Sequence, residues 1–196
     1  MTQTRSRIPV RDICLTGMFA AVTAVLAQIS IPLPFTPVPI SFGNLAVLIA
    51  GLLLAPRYAF FSQLTFLLVG AVGIPVFAGF RGGLERIVGP TGGYLVAYPL
   101  MALLIAGLLL AFDHWLAPHL TRRRWLWRTL WMLGAMLLAM LVCYTLGTAW
   151  LSHNTGNGIG ETLALAVYPY VPLDLVKIVF AALCILPLRD RLQSLR

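Results

Sequence analysis

The sequence predicts an all-α integral membrane protein with six transmembrane helices and with both the N and C termini in the cytoplasm. Of its 196 residues, 60% are hydrophobic and only 10% are charged, whereas a soluble domain carries roughly 25% charged residues. The mean hydropathy is +0.90, and the basic residues form short clusters between apolar stretches. This composition excludes a soluble globule, and it is equally unlike a disordered chain, which is polar and poor in aromatic residues.

The length is that of a single membrane domain, residues 1–196, with short cytoplasmic tails at 1–12 and 189–196. The formal net charge of +8 comes from 14 basic and 6 acidic residues, and such an excess can indicate nucleic-acid binding. Here the basic residues flank apolar stretches instead of sharing one face, so we expect no nucleic-acid partner. They indicate membrane topology instead.

The six expected helices follow the apolar stretches, since a spanning helix needs about 20 mostly apolar residues. The first starts beside basic residues and is followed by no small-residue cleavage site, so we expect a retained helix and no cleaved signal peptide. The second is short and is expected to span steeply or to form a broken or re-entrant element. Pro169 and Pro172 interrupt the last, so its helix should begin near Pro172. The stretches are 13–31, 42–55, 58–73, 94–112, 129–151 and 163–188.

The basic residues between these stretches predict the orientation. If the helices alternate in direction, 11 basic residues fall on one side of the membrane and 2, Arg81 and Arg86, on the other. The positive-inside rule then places both termini in the cytoplasm. The 11 residues are Arg5, Arg7, Arg11, Arg57, Arg122, Arg123, Arg124, Arg128, Arg189, Arg191 and Arg196.

Three segments on the outward side have unusual compositions and are candidates for a functional mouth. Segment 32–41 holds four prolines, segment 74–93 is rich in glycine, and segment 152–171 joins the last two stretches. Proline stiffens a connection and glycine lets the backbone approach a ligand closely. Long loops on a compact bundle are often functional, although solvated connectors remain the alternative.

Two charged residues within the last apolar stretch are the strongest candidates for a binding site. Lys177 is the single lysine, and Asp174 precedes it by three residues, so both lie on one face of a helix. A charge inside the bilayer is costly unless it is paired or solvated, and it usually marks a site or pathway. A self-neutralising pair that only holds the helix in place remains the alternative.

Two outer-loop elements could add binding groups. Arg81 lies in a glycine-rich turn, four residues before Glu85, and could meet an anionic ligand or simply form a surface ion pair. Thr91 and Gly92 precede Tyr94 at the start of the fourth helix, where backbone N–H groups can cradle an anion. Close packing of the helix start is the alternative for the glycines.

No motif indicates catalysis, a metal or a cofactor. The glycine run lacks the lysine of a nucleotide P-loop, and the histidines and three cysteines have no metal-ligand spacing. Gly17, Ala20, Ala21 and Ala24 form a small-residue face on the first helix. Such faces let membrane helices approach closely, either within the bundle or against a partner protein.

The residue strings themselves resemble a known family. Residues 73–79 (GIPVFAG), Gly82-Gly83 and 89–95 (GPTGGYL) resemble the signature of the BioY family. These proteins are biotin-binding S-components of energy-coupling-factor (ECF) vitamin transporters. The resemblance extends over about residues 12–188 and includes PFTPVPIS at 34–41 and VPLDLVK at 171–177.

The resemblance implies a six-helix, S-component-like bundle in the cell membrane that binds biotin from outside. It implies as partners an ECF transmembrane coupling protein, which would meet Gly17, Ala20 and Ala24, and two ABC-type ATPases. In place of the family's polar Thr-Leu-Gln-like stretch the chain reads Ser-Phe-Gly-Asn at 41–44, so Asn44 would supply the amide.

Biotin's chemistry suggests which residues would meet each part of it. Asp174 would accept the ureido N–H groups, Lys177 would donate to a biotin oxygen, and Arg81 would meet the carboxylate. Phe77 and Tyr94 would pack on the rings, with the backbone of Thr91 and Gly92 along the wall. Together with Asn44, the ligand contacts that the resemblance implies are Asp174, Lys177, Arg81, Tyr94, Thr91, Gly92 and Phe77.

Two other functions stay open on the residues alone. The chain could be an S-component for another small vitamin, or a small membrane enzyme that uses Asp174 and Lys177 on a lipid substrate. An enzyme should show further convergent polar groups at membrane depth, and this chain offers only that pair.

Overall fold

The computed structural model describes residues 10–119 and 124–194, and this part of the chain is a helical bundle. Of the two predicted cytoplasmic tails, only residues 10–12 and 189–194 are included, and five of the arginines that predict the orientation lie outside the described residues. They are Arg5, Arg7, Arg122, Arg123 and Arg196.

The first half of the chain forms three helices in the predicted apolar stretches. They are α1 (Val10–Gln28), α2 (Gly43–Leu53) and α3 (Pro56–Ala71). Between α1 and α2, strands β1 (Ser30–Ile31) and β2 (Ile40–Ser41) pair in antiparallel fashion. The prediction of a purely α-helical chain is wrong in this detail. Proline cannot donate a backbone hydrogen bond, so the proline-rich stretch forms no helix; it turns back on itself, and its two ends pair with each other.

The described residues from 84 to 194 contain five α-helices, two of them in segments predicted as loops. They are α4 (Leu84–Val88), α5 (Gly92–Ala111), α6 (Arg124–Thr155), α7 (Ile159–Ala166) and α8 (Val171–Ser194). Helix α5 continues into a π-helical turn, Phe112–Leu116, and a 3-10 turn, Ala117–His119. The predicted start of the last helix near Pro172 is confirmed. The short helices α4 and α7 were missed because glycines flank the first and interrupt the second.

Three helices of the described residues are long and apolar enough to cross a membrane: Val10–Gln28, Gly92–Leu116 and Trp125–Thr155. Helices α7 and α8 make a fourth candidate if they form one span, bent by 54°. Helix α2 has only 11 residues, and at 1.5 Å per residue it is too short to cross alone. The chain is thus a multi-pass membrane protein, and the count of six spans stays a prediction.

Helix α2 is buried at the centre of the bundle, against α1, α3, α5 and α8. The side chains of Ala46, Val47 and Leu48 are fully buried. A Cβ atom at Gly51 would lie 2.8 Å from the Cβ of Ile105 on α5, so the glycine allows these two helices to approach closely. As a result, Asn44, in the first turn of α2, enters the interior of the bundle.

Candidate binding site

A cavity of about 420 Å³ lies at the end of the bundle where α1 ends and α5 begins. Its volume is within the range of about 300–1,000 Å³ that is typical of small-molecule sites. Its lining includes Ala27, Gln28, Ser30, Pro32, Leu33, Thr36, Val38, Ser41, Phe66, Phe77, Arg81, Arg86, Thr91, Tyr94, Leu95 and Tyr98. Four of the predicted ligand contacts are therefore at this cavity: Phe77, Arg81, Thr91 and Tyr94.

All three predicted outer segments meet at this end of the bundle. The hydroxyl of Tyr170, from the third segment, donates to the carbonyl of Val38 in the proline-rich first segment. Both residues belong to a small buried cluster with Leu151 and Ala166. The hydroxyl of Tyr94, which follows the second segment, donates to the carbonyl of Ala166 at 3.4 Å. The third segment, 152–171, thus holds the proline-rich segment in place through Tyr170.

A tight turn from Phe77 to Arg81 forms one wall of the cavity. The two residues exchange backbone hydrogen bonds of 2.8 and 3.2 Å, and Gly79 and Phe80 have left-handed φ values of +75° and +55°. The Phe77 ring is 3% exposed and lies edge-on to Phe66, with 5.5 Å between ring centroids. The turn thus places a buried aromatic ring and the exposed Arg81 side chain on the same wall.

The glycine pair at the start of α5 packs against neighbouring helices. A Cβ at Gly92 would lie 1.6 Å from the carbonyl oxygen of Ile87, and one at Gly93 would lie 2.3 Å from the Cβ of Trp150. The Trp150 indole donates to the carbonyl of Gly89 at 3.0 Å. Close packing therefore explains both glycines. Gly92 is not part of the cavity lining, and its contact with a ligand stays a prediction.

The intramembrane pair is the centre of a buried polar network. Asp174 and Lys177 on α8 are each 6% exposed, with 2.9 Å between Nζ and Oδ1. Lys177 also donates to the Ser41 carbonyl at 2.8 Å and to Oδ1 of Asn44 at 3.0 Å. Asp174 accepts from Nδ2 of Asn44 at 2.8 Å and from the Tyr144 hydroxyl at 2.5 Å. The network therefore joins β2, α2, α6 and α8.

This network lies directly behind the cavity wall. Ser41 belongs to the cavity lining and also accepts from Lys177, whereas Asp174, Lys177 and Asn44 do not reach the cavity surface. An ammonium group has three N–H donors, and all three have a partner here. A ligand that binds Lys177 must therefore replace one of these bonds. The structure brings the three predicted residues together, and their contact with a ligand stays a prediction.

Three polar residues of this region were not predicted as site residues. Tyr144 binds Asp174, Gln28 lines the cavity, and Tyr98 lines it while stacking on Phe66 at a centroid distance of 6.2 Å. The available signal was that a polar side chain inside an apolar helix needs a partner. The partner itself is distant in sequence, so the pairing could not be inferred from spacing.

The small-residue face of α1 is divided between the bundle interior and the outer surface. Ala20 is 7% exposed and belongs to the core, and Ala24 is partly buried against it. Gly17 and Ala21 are exposed, and a Cβ at Gly17 would meet nothing within 4 Å. The side chain of Ala20 packs inside this chain, and its contact with a partner stays a prediction. Gly17 and Ala21 remain available to a partner.

No metal or disulfide contributes to the site in the part of the chain that the structure describes. Within residues 10–119 and 124–194, no group of three His, Cys, Asp or Glu side chains could hold a metal ion. The three cysteines, Cys14, Cys143 and Cys184, are free thiols. The polar chemistry of the site therefore comes from the side chains and backbone groups described above.

The sequence matches the family model of the BioY family over residues 1–194. The chain belongs to the BioY family. This confirms the resemblance given by the GPTGGYL and VPLDLVK strings.

Individual BioY-family relatives match over nearly the whole chain. The probable biotin transporter BioY of Pyrococcus horikoshii is 36% identical over 184 residues, which cover 94% of this chain and 97% of the relative. The biotin transporter BioY of Thermotoga maritima is 35% identical over 179 residues, or 91% of this chain and 96% of the relative. Both matches thus cover more than nine tenths of this chain and of the relative.

A solved structure has a similar fold. It is a 2.1 Å crystal structure of the S-component for biotin from an ECF-type ABC transporter. The TM-score is 0.80 with 26% sequence identity, and the match covers 97% of this chain and 95% of that chain. The bundle described above is therefore S-component-like along nearly its entire length, as the BioY-family resemblance implied.

Proposed function

We propose that this chain binds biotin and serves as the substrate-specific subunit for biotin uptake by an ECF-type transporter. The observation that carries the proposal is the full-length similarity to a biotin S-component, together with a ligand-sized cavity under the outer segments. The named relatives are biotin transporters. The chain would be a binding and transport subunit, and ATP hydrolysis would belong to partner proteins.

The cavity and the network behind it offer groups that match each part of biotin. The ureido ring has two N–H donors and a carbonyl, which suit the Asp174 carboxylate and the Lys177 ammonium. The apolar thioether ring suits the aromatic wall of Phe77 and Tyr94, and the carboxylate suits Arg81. Because the Asp174–Lys177 network is fully paired without ligand, biotin would exchange hydrogen bonds with it. Such an exchange costs less than desolvating an unpaired charge.

The proposed setting is the cytoplasmic membrane, with six spans and both termini inside. The cavity wall carries the only two arginines of the outer segments, Arg81 and Arg86. Arg11 precedes the apolar part of α1, and Arg57 lies in the first turn of α3, towards the opposite end. This distribution agrees with the positive-inside rule for a cavity that opens outward.

Uptake would require an ECF transmembrane coupling protein and two ABC-type ATPases, with α1 as the surface that meets the coupling protein. Gly17 is the best site for a test, because it is exposed and a Cβ atom added there meets nothing within 4 Å. We expect Gly17→Trp to keep biotin binding while abolishing partner-dependent uptake. Gly134→Trp, at an equally open and exposed glycine on α6, is the matched control. Normal copurification of the Gly17 variant with the coupling protein would contradict this interface.

The proposed ligand is tested by calorimetry on the detergent-purified protein, with biotin as the ligand and thiamine and riboflavin as controls. We expect binding of biotin alone, at roughly one molecule per chain. Binding of another vitamin would keep the S-component function and change the substrate. No binding by a folded, monodisperse preparation would contradict the proposal.

A further inference from the structure

Gln28, the last residue of α1, makes an unusual set of contacts with the wall of the cavity. Its Nε2 donates to the carbonyls of Val76 at 2.9 Å and Pro75 at 3.3 Å, and to Ala24 of its own helix at 3.1 Å. Its Oε1 accepts from the backbone N–H of Phe80 at 2.9 Å. One carboxamide thus binds the two carbonyls just before the Phe77–Arg81 turn and the backbone N–H of the residue just before the turn ends.

The turn that Gln28 holds has an unfavourable backbone conformation. Phe80 has φ +55°, and it is the one non-glycine residue with a positive φ among those described. A residue with a Cβ atom is disfavoured in this region and stays there only when its surroundings enforce the conformation. The Phe80 side chain is 73% exposed, so side-chain packing does not enforce the conformation. The hydrogen bond from its N–H to Gln28 is a contact that does.

We infer that Gln28 is a positioning residue that fixes the Phe77–Arg81 turn to the end of α1 and thereby limits the escape of ligand from the cavity. The turn supplies Phe77 and Arg81 to the cavity lining, and Gln28 borders the same space. Without the carboxamide, the carbonyls at 75–76 and the N–H of Phe80 would form hydrogen bonds with water instead. The turn would then move away from the end of α1 more often and open the cavity wall. The part of this inference that concerns ligand escape rests on the proposed biotin binding.

The test compares Gln28→Leu, which removes all four hydrogen bonds at similar size, with Gln28→Glu, which keeps an acceptor for Phe80 but loses the donors. Dissociation of labelled biotin is followed after dilution into unlabelled biotin. We expect about tenfold faster dissociation for Gln28→Leu, as for the loss of one or two net hydrogen bonds, and an intermediate rate for Gln28→Glu. Asn154→Leu is the matched control, since it removes a carboxamide-to-backbone bond on α6 away from the cavity.

A second measurement needs no ligand. Trypsin cleavage after Arg81, identified by mass, reports opening of the turn, and we expect it to accelerate severalfold in Gln28→Leu at an unchanged Tm. Dissociation and cleavage that both match wild type would overturn the inference. Faster dissociation with unchanged cleavage would also overturn it, because Gln28 would then act by contacting biotin itself. If wild type binds no biotin, the proposed function fails, and cleavage alone still decides whether Gln28 holds the turn.

Discussion

Replacing Lys177 with methionine gives the sharpest test of the buried network. The substitution keeps the length of the side chain and removes the ammonium, so Asp174 loses its ion pair at 2.9 Å and the carbonyl of Ser41 loses a donor. Asp174 keeps the bonds from Asn44 and Tyr144, but these are neutral donors. The variant therefore holds a buried carboxylate without an opposite charge.

The expected loss of stability follows from this uncompensated charge. Removing one partner of a buried ion pair costs about 3–5 kcal/mol. For a chain of this size, each 1 kcal/mol lowers the Tm by about 2–4 °C, so we expect a decrease of roughly 6–20 °C. The double variant Asp174→Asn/Lys177→Met leaves no charge and should recover most of this loss. Replacing both partners of a buried pair is often close to neutral.

Stability and binding are measured separately on the single and double variants. Tm is followed by the fluorescence of detergent-solubilised protein, and biotin affinity by calorimetry below the lowest Tm. We expect Lys177→Met and Asp174→Asn each to weaken biotin binding at least tenfold, and the double variant to stay weak although its Tm recovers. A double variant as unstable as Lys177→Met would refute the charge argument. Wild-type biotin affinity in the stable double variant would show that Asp174 and Lys177 do not contribute to biotin binding.

Two further substitutions test neighbouring parts of the site. Tyr144→Phe removes the hydroxyl that donates to Asp174, so we expect the free energy of unfolding to fall by about 1–3 kcal/mol. The Tm should then be lower by several degrees, and biotin binding should be weaker. An unchanged Tm would contradict a role for this bond. Gly70→Ala places a Cβ 2.1 Å from the Phe77 ring, which should displace that ring from the cavity wall and weaken biotin binding at least tenfold. Gly107→Ala, where nothing lies within 4 Å, should bind as wild type, and equal affinities for the two alanine variants would refute this reasoning.

The apolar stretches predicted the main helices well, because a long run of apolar residues is a strong signal for a membrane helix. The Asp174–Lys177 pair could be predicted equally well, since residues three apart on one helix share a face. The two short helices α4 and α7 were not predicted, because glycines and a few polar residues look like loops when only local sequence is considered. In the structure α4 packs against α5, and α7 packs against α6.

Contacts between distant residues were the least predictable part of the site. Tyr144 precedes Asp174 by 30 residues, and Gln28 lies 52 residues before Phe80, so no spacing rule connects them. Ala20 shows the same limit, because small residues at four-residue spacing indicate close helix packing without giving the identity of the neighbour. In the structure, the neighbours of Ala20 are residues of the chain's own hydrophobic core.

The arrangement of Asp174 and Lys177 also bears on the energy source of transport. Their opposite charges lie 2.9 Å apart on one rigid helix, so α8 carries a compact dipole with no net charge at this depth. An elementary charge moved across the bilayer takes up about 2.3 kcal/mol per 100 mV, whereas a paired dipole that moves as a unit takes up very little. The Asp174–Lys177 pair therefore couples tilting or rotation of α8 only very weakly to the transmembrane voltage, and the electrical potential acting on this pair would neither drive nor oppose such a motion.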